Sequence, residues 1–181
     1  MKTKFLSIVL ALVSSGFIFA QTQTTPAPAP ESTEKPLAET LNWMVGSWEG
    51  EGASKGGSPF VGKLDVTPEL DGAALLVNRE SMNKEGGPTG GRKELFLIGY
   101  DGTTKKVIGT LYDNKSRIAL FAGENTGDQV VFNLAIPTPQ QGYVNRITFR
   151  KLPDGGISYF VEEATPGKET SKIVEINFKK K

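Results

Sequence analysis

A chain of 181 residues, 38% hydrophobic and 23% charged, is long enough for one ordinary soluble domain plus tails. Its 21 Lys and Arg against 20 Asp and Glu leave a formal charge of +1, and so balanced a surface gives no electrostatic reason to expect nucleic acid or an anionic membrane as partner. Cysteine and histidine are both absent, which excludes disulfides, Ser-His-Asp and Cys-His catalysis, Cys/His zinc sites and a haem held by histidine.

Lys2 and Lys4 precede an apolar run from Phe5 to Phe19 that ends on the small residue Ala20. This order predicts a signal peptide over residues 1–20. The run is shorter than the ~20 apolar residues a spanning helix needs, so cleavage is expected rather than a permanent anchor. The product is expected in the periplasm or outside the cell, free of the membrane. Residues 21–36, QTQTTPAPAPESTEKP, alternate Pro with small and polar side chains and predict an extended, coreless tether. The folded domain is then expected over residues 37–181.

That domain begins with PLAETLNWMVG. Pro36 suits a first helical turn, Leu37, Leu41 and Met44 fall at helical spacing, and Gly46 is a stop. A helix of two turns is predicted. From Trp48 the pattern changes to short alternating runs rich in β-branched and aromatic residues. Strands are predicted at 48–54, 60–70, 73–83, 92–100, 106–113, 116–123, 129–136, 143–151, 156–164 and 170–179. The joints are short, and Asp71-Gly72, Asp101-Gly102, Asp113-Asn114 and Pro153-Asp154-Gly155-Gly156 are the clearest turn signals.

Hairpins in sequence, with no crossover helices, mean an antiparallel meander. About ten strands in an open sheet would leave two long edges, and closure removes them. The fold class expected is therefore all-β, an up-and-down antiparallel barrel with a short N-terminal helix. A sandwich is the alternative, but a Greek key needs a long return connection. Val130, Phe132, Leu134 and Ile136 share one face, as do Val174, Ile176 and Phe178, while Lys172, Glu175, Asn177 and Lys179 are expected toward water or a rim. Glu94–Tyr100, ELFLIGY, is apolar on both faces, so its outer side needs a cover: the first helix or a second subunit.

VGSWEGEG, holding Trp48 between Gly46 and Gly50, resembles the Gly-x-Trp-x-Gly-x-Gly signature that opens nitrobindin-like and other lipocalin-like (calycin-type) barrels. LFLIGYDGTTKKVIGTLYDN and SKIVEINFKK are similar to an exported bacterial family of lipocalin-like domains of unknown function. The resemblance spans Leu37 to Lys181 and implies the barrel, with Trp48 plugging its floor. It breaks where nitrobindins place a haem-ligating histidine on the last strand. The matching position falls near Ile173 or Glu175, neither of which is that ligand, so no cofactor is expected.

Polar residues within apolar strands are the ligand candidates, since a buried polar group needs a partner and pockets use a few such groups to orient a ligand. Glu80, Glu94, Tyr112, Asn133, Arg146 and Tyr159 qualify, and Trp48 is a further candidate at the floor. Arg146 is a candidate holder of an anionic head group. Asn83–Lys93, NKEGGPTGGRK, is the longest Gly-rich joint, either a lid over the mouth or an idle loop. No catalytic constellation and no metal-ligand pattern stands out. The expected function is an exported small-molecule binding barrel for an apolar ligand with a polar or anionic end. The alternatives are a structural or interaction module with a filled interior, in which a homodimer is one arrangement, and an enzyme whose acid or base is Glu, Asp or Tyr.

Overall fold

The computed structural model describes residues 37–84, 91–104, 106–135, 146–163 and 170–181. The expected signal peptide and tether, the centre of the Gly-rich joint and Ile136 lie outside them.

Leu37–Thr40 forms one α-helical turn, α1, and Asn42–Met44 a 3-10 turn. The expected two-turn helix is split because Leu41, at φ −109° and ψ 24°, leaves the helical region. Its apolar face survives the break, with Leu37, Leu41 and Met44 all buried.

Ten strands follow: β1 Gly46–Ser54, β2 Pro59–Glu69, β3 Ala74–Asn83, β4 Arg92–Asp101, β5 Lys106–Asp113, β6 Ile118–Asn125, β7 Gln129–Leu134, β8 Arg146–Lys151, β9 Ile157–Glu163 and β10 Ser171–Lys180. Each pairs antiparallel with its sequence neighbours, and β1 pairs with β10 from Trp48↔Lys180 to Ser54↔Val174, closing the barrel. The all-β up-and-down barrel expected from the hairpin pattern is the observed architecture. β6 starts two residues later than expected. Ser116 takes a positive φ of 60°, and the Asp113 side chain accepts the backbone N–H groups of Lys115 and Arg117, so the turn uses more of the chain.

The interior is filled from the α1 end upward. Trp48, 3% exposed, donates its indole N–H to the Met44 carbonyl at 2.9 Å. It is therefore a floor residue tied to the 3-10 turn. Above it the rings of Phe96, Phe121, Phe132, Phe149 and Tyr159 meet mostly edge to face, with centroids 4.7 Å apart for Phe96–Phe132 and 5.1 Å for Phe149–Tyr159. Such contacts add to the burial of these large side chains.

The glycines of β1 serve this interior. A Cβ on Gly50 or Gly52 would collide with the Asn177 or Glu175 carbonyl of β10. These two positions thus let β10 close on β1 rather than making room for the Trp48 indole. Gly46 alone of the three lies near it, its Cβ position 3.8 Å from the Trp48 Nε1.

In β10 the register slips between Lys172 and Val174. This bulge puts Lys172 and Glu175 on one side, where Lys172 Nζ meets Glu175 Oε2 at 2.8 Å, although their numbers differ in parity. The α1 turn packs against β3 and the β2–β3 connection. It does not cover the outer face of β4, where Leu95 and Leu97 are exposed.

Candidate functional site at the barrel mouth

The end of the barrel opposite α1 carries the charged side chains of the interior. Side chains alternate along a strand, so the inward row Leu75, Val77 on β3 continues to Arg79 and Ser81, and the inward row Ile98, Phe96 on β4 runs back to Glu94 and Arg92. Cross-strand register sets Arg79 opposite Glu94 and Glu94 opposite Asp113. Arg117 joins from the β5–β6 turn.

These five groups form an alternating chain. Arg79 donates from Nε to Glu94 Oε2 at 2.7 Å, and its Nη2 lies 2.6 Å from the same oxygen. Glu94 Oε1 is 2.5 Å from Arg92 Nε. Arg92 Nη2 reaches Asp113 Oδ2 at 3.4 Å, and Arg117 grips that oxygen from Nε at 2.7 Å and Nη2 at 2.6 Å. Tyr159 donates its hydroxyl to Glu94 Oε2 at 3.3 Å, and its ring lies 4.5 Å from the Arg79 guanidinium carbon.

Burial grades along this chain. The side chains of Arg79 and Glu94 are each 4% exposed, that of Asp113 is fully covered, and those of Arg92 and Arg117 are 30% and 37% exposed. Burial pulls the Arg79 guanidinium down, but Tyr159 and Glu94 more than offset it and the net shift is upward, so Arg79 stays charged. Burial pushes the Tyr159 phenol up, against the opposing pull of Arg79, which keeps it a hydroxyl donor. Burial also pushes Asp113 up, but its hydrogen bonds from Arg117 and from the backbone N–H groups of Arg117 and Lys115 hold it below the usual carboxylate range.

Three guanidiniums face two carboxylates, so the cluster keeps one positive charge in excess. Arg79 Nη1 has no hydrogen-bond acceptor among the described residues, and Arg92 Nε meets Glu94 Oε1 as an ion pair without hydrogen-bond geometry. Arg92, Glu94, Asp113 and Arg117 share a half-open cleft with Leu111, Phe121, Ile147, Tyr159 and Val161. Its cavity is only about 20 Å³, room for one or two waters when each needs about 10–15 Å³. The aromatic layer closes it below.

Of the residues singled out from sequence, the barrel brings Glu94 and Tyr159 together in this cluster. Trp48 lies in the core, apart from the cleft. Glu80 faces outward and pairs with Lys93 at 2.7 Å. Tyr112 is 44% exposed on the outer face. Asn133 and Arg146 are also outward, Arg146 Nε donating to Asn133 Oδ1 at 3.0 Å and its Nη1 lying 3.6 Å from Glu162. Arg146 is thus satisfied on the outer surface rather than placed for an internal anion. Sequence reasoning missed Arg79, Arg92, Asp113 and Arg117 as members of the cluster. The alternation of Leu75, Val77 and Arg79 was the signal for the first of these.

No family model matches the chain, and no curated protein matches it in sequence. Among solved structures it is similar to the crystal structure of Rv2717c from M. tuberculosis, with a TM-score of 0.56 and 16% identity over 81% of this chain and 98% of that one. The likeness is one of fold, a closed antiparallel β-barrel.

Proposed function

We propose that the chain is an exported lipocalin-like barrel that binds a small organic anion at its mouth. The observation that carries this reading is the cationic excess of the Arg79–Glu94–Arg92–Asp113–Arg117 chain, part exposed beside an apolar wall. An anionic head group accepts from Arg92 and Arg117, whose planar forks suit a carboxylate. The cleft above Leu111, Ile147 and Val161 holds about 20 Å³ and takes no more than the head group, so the body of the ligand stays at the mouth. A long acyl tail is disfavoured, because Phe96, Phe121, Phe132 and Phe149 occupy the space it would need.

Titration calorimetry with benzoate, hexanoate and neutral hexanol tests the reading, alongside mass spectrometry of material extracted from the native protein. Saturable binding of the two carboxylates is expected, weakened about tenfold or more by Arg117→Gln and untouched by Arg146→Gln. Absence of saturable binding for every carboxylate would leave the filled barrel as a structural or interaction module.

A further inference from the structure

The outer surface carries a pattern that the mouth does not use. On β4, β5 and β6 the outward positions pair across the sheet as three rows: Leu95, Tyr112 and Ile118; Leu97, Thr110 and Leu120; Gly99, Ile108 and Ala122. None of these nine residues is charged. Outward positions on β1, β2, β8 and β10 carry charge: Glu49 and Glu51 on β1, Lys63 and Asp65 on β2, Arg146 and Arg150 on β8, Glu175 and Lys179 on β10.

Six members of the array are large and open to solvent, from Leu95 at 38% to Ile118 at 64%. Together they expose about 550 Å², at the upper end of the largest apolar patch on a typical monomer. Depletion of charge at the centre with charges at the edge is the composition of an interface core and rim. The rim here is Lys93, Asp101, Lys106 and Glu124, the strand residues that bound the three rows.

We propose that this β4–β5–β6 face is the contact between two copies of the chain. The area argues for a second copy. A stable interface buries about 800 Å² per partner, and an uncharged array of about 550 Å² plus a rim meets that figure. An uncharged surface is also self-complementary about a twofold axis, since no like charges meet there. Leu95, Leu97, Tyr112, Ile118, Leu120 and Ile108 stand above hollows at Gly99, Thr110 and Ala122, so the relief can interdigitate. The proposal is independent of the mouth site.

Sedimentation equilibrium on the purified full chain tests it. A mass twice that of the monomer is expected at micromolar concentrations. Leu97→Glu with Leu120→Glu should shift the dissociation constant by at least a hundredfold toward monomer while the far-UV spectrum is kept. Both proteins share the same N-terminus, so association through the apolar run at 5–19 would persist in the variant and would overturn the proposal. A second measurement does not depend on those variants folding. The chain has no cysteine, so Thr110→Cys offers a unique thiol for a nitroxide. Sheets packed face to face lie about 10 Å apart, and an interspin distance of about 10–25 Å is expected. A monomeric wild type overturns the proposal, as does a labelled Thr110→Cys variant that shows no dipolar coupling. Flotation of a monomeric wild type, but not of the Leu97→Glu, Leu120→Glu variant, with phosphatidylcholine–phosphatidylglycerol vesicles would assign the face to lipid and overturn it too.

Discussion

Replacing Glu94 by Gln removes the one negative charge that Arg79 faces and keeps the side-chain shape. In the native barrel the Glu94 carboxylate takes two contacts from Arg79, at 2.6 and 2.7 Å, one from the Tyr159 hydroxyl at 3.3 Å and one from Arg92 at 2.5 Å. Arg92, 30% exposed, can turn to water and Asp113 when the charge is lost. Arg79, 4% exposed, has nowhere to turn. It keeps the face of Tyr159 at 4.5 Å, a contact of about 2 kcal/mol when desolvated. Breaking a buried pair by removing one partner costs about 3–5 kcal/mol, because the survivor is an uncompensated buried charge. At about 3–4 °C per kcal/mol for a domain of this size, Tm should fall by about 10–20 °C. Urea unfolding monitored by tryptophan fluorescence and by far-UV circular dichroism measures the loss. The double variant Arg79→Met, Glu94→Leu should recover most of it, since swapping both partners for apolar residues is often neutral. A cost below about 1 kcal/mol for Glu94→Gln, the value of an exposed pair, would refute the reasoning: the pair would then have to be solvated.

Gly109→Ala should cost about 1–3 kcal/mol, the range for overpacking. Its Cβ would overlap the Phe96 ring, which Phe121 and Phe132 hold in place. Gly99→Ala is the control: its Cβ meets only Ile108 Cγ1 at 3.8 Å, so urea midpoints should separate the two variants. Acid unfolding tests Asp113. Its folded pKa is depressed, so its contribution to stability is present above the unfolded value of about 3.9 and is lost as pH falls through that value toward the lower folded one. The stability of the wild type should therefore fall steeply below about pH 4, and that of Asp113→Asn should be lower at neutral pH and flatter on the acid side. Equal acid slopes would sink the assignment.

The barrel was legible because its evidence is local. Alternation marks each strand, Gly155 at φ 82° and Gly72 at φ 86° sit in turns the dipeptides announced, and the nine short links expected between ten strands admit no long return. The interior was half legible for a reason visible in β4 and β5. Where one face is polar, parity decides: Val130 and Phe132 inward put Asn133 outward, Ile147 and Phe149 put Arg146 outward, and Leu75 and Val77 put Arg79 inward and Glu80 outward. Each of these assignments was available from the strand itself. On β5 the two faces, Val107, Gly109 and Leu111 against Ile108, Thr110 and Tyr112, are alike in polarity, so nothing within the strand decides which row is inside. What decides it lies elsewhere: Gly109 must be inside because Phe96 of β4 fills the space where a Cβ would stand. The same holds for the glycines of β1, whose reason is a carbonyl on β10 more than 120 residues later. It holds again for Arg117, which reaches the mouth only because Asp113 folds the turn back on itself. The charge cluster is thus assembled from a turn, a β3 row whose parity could be read, and rows of β4 and β5 whose parity could not. The doubly apolar β5 that hid the site from sequence is also the middle strand of the uncharged outer face. The ambiguity has a single physical source, a strand that packs a core on one side and presents an apolar array on the other.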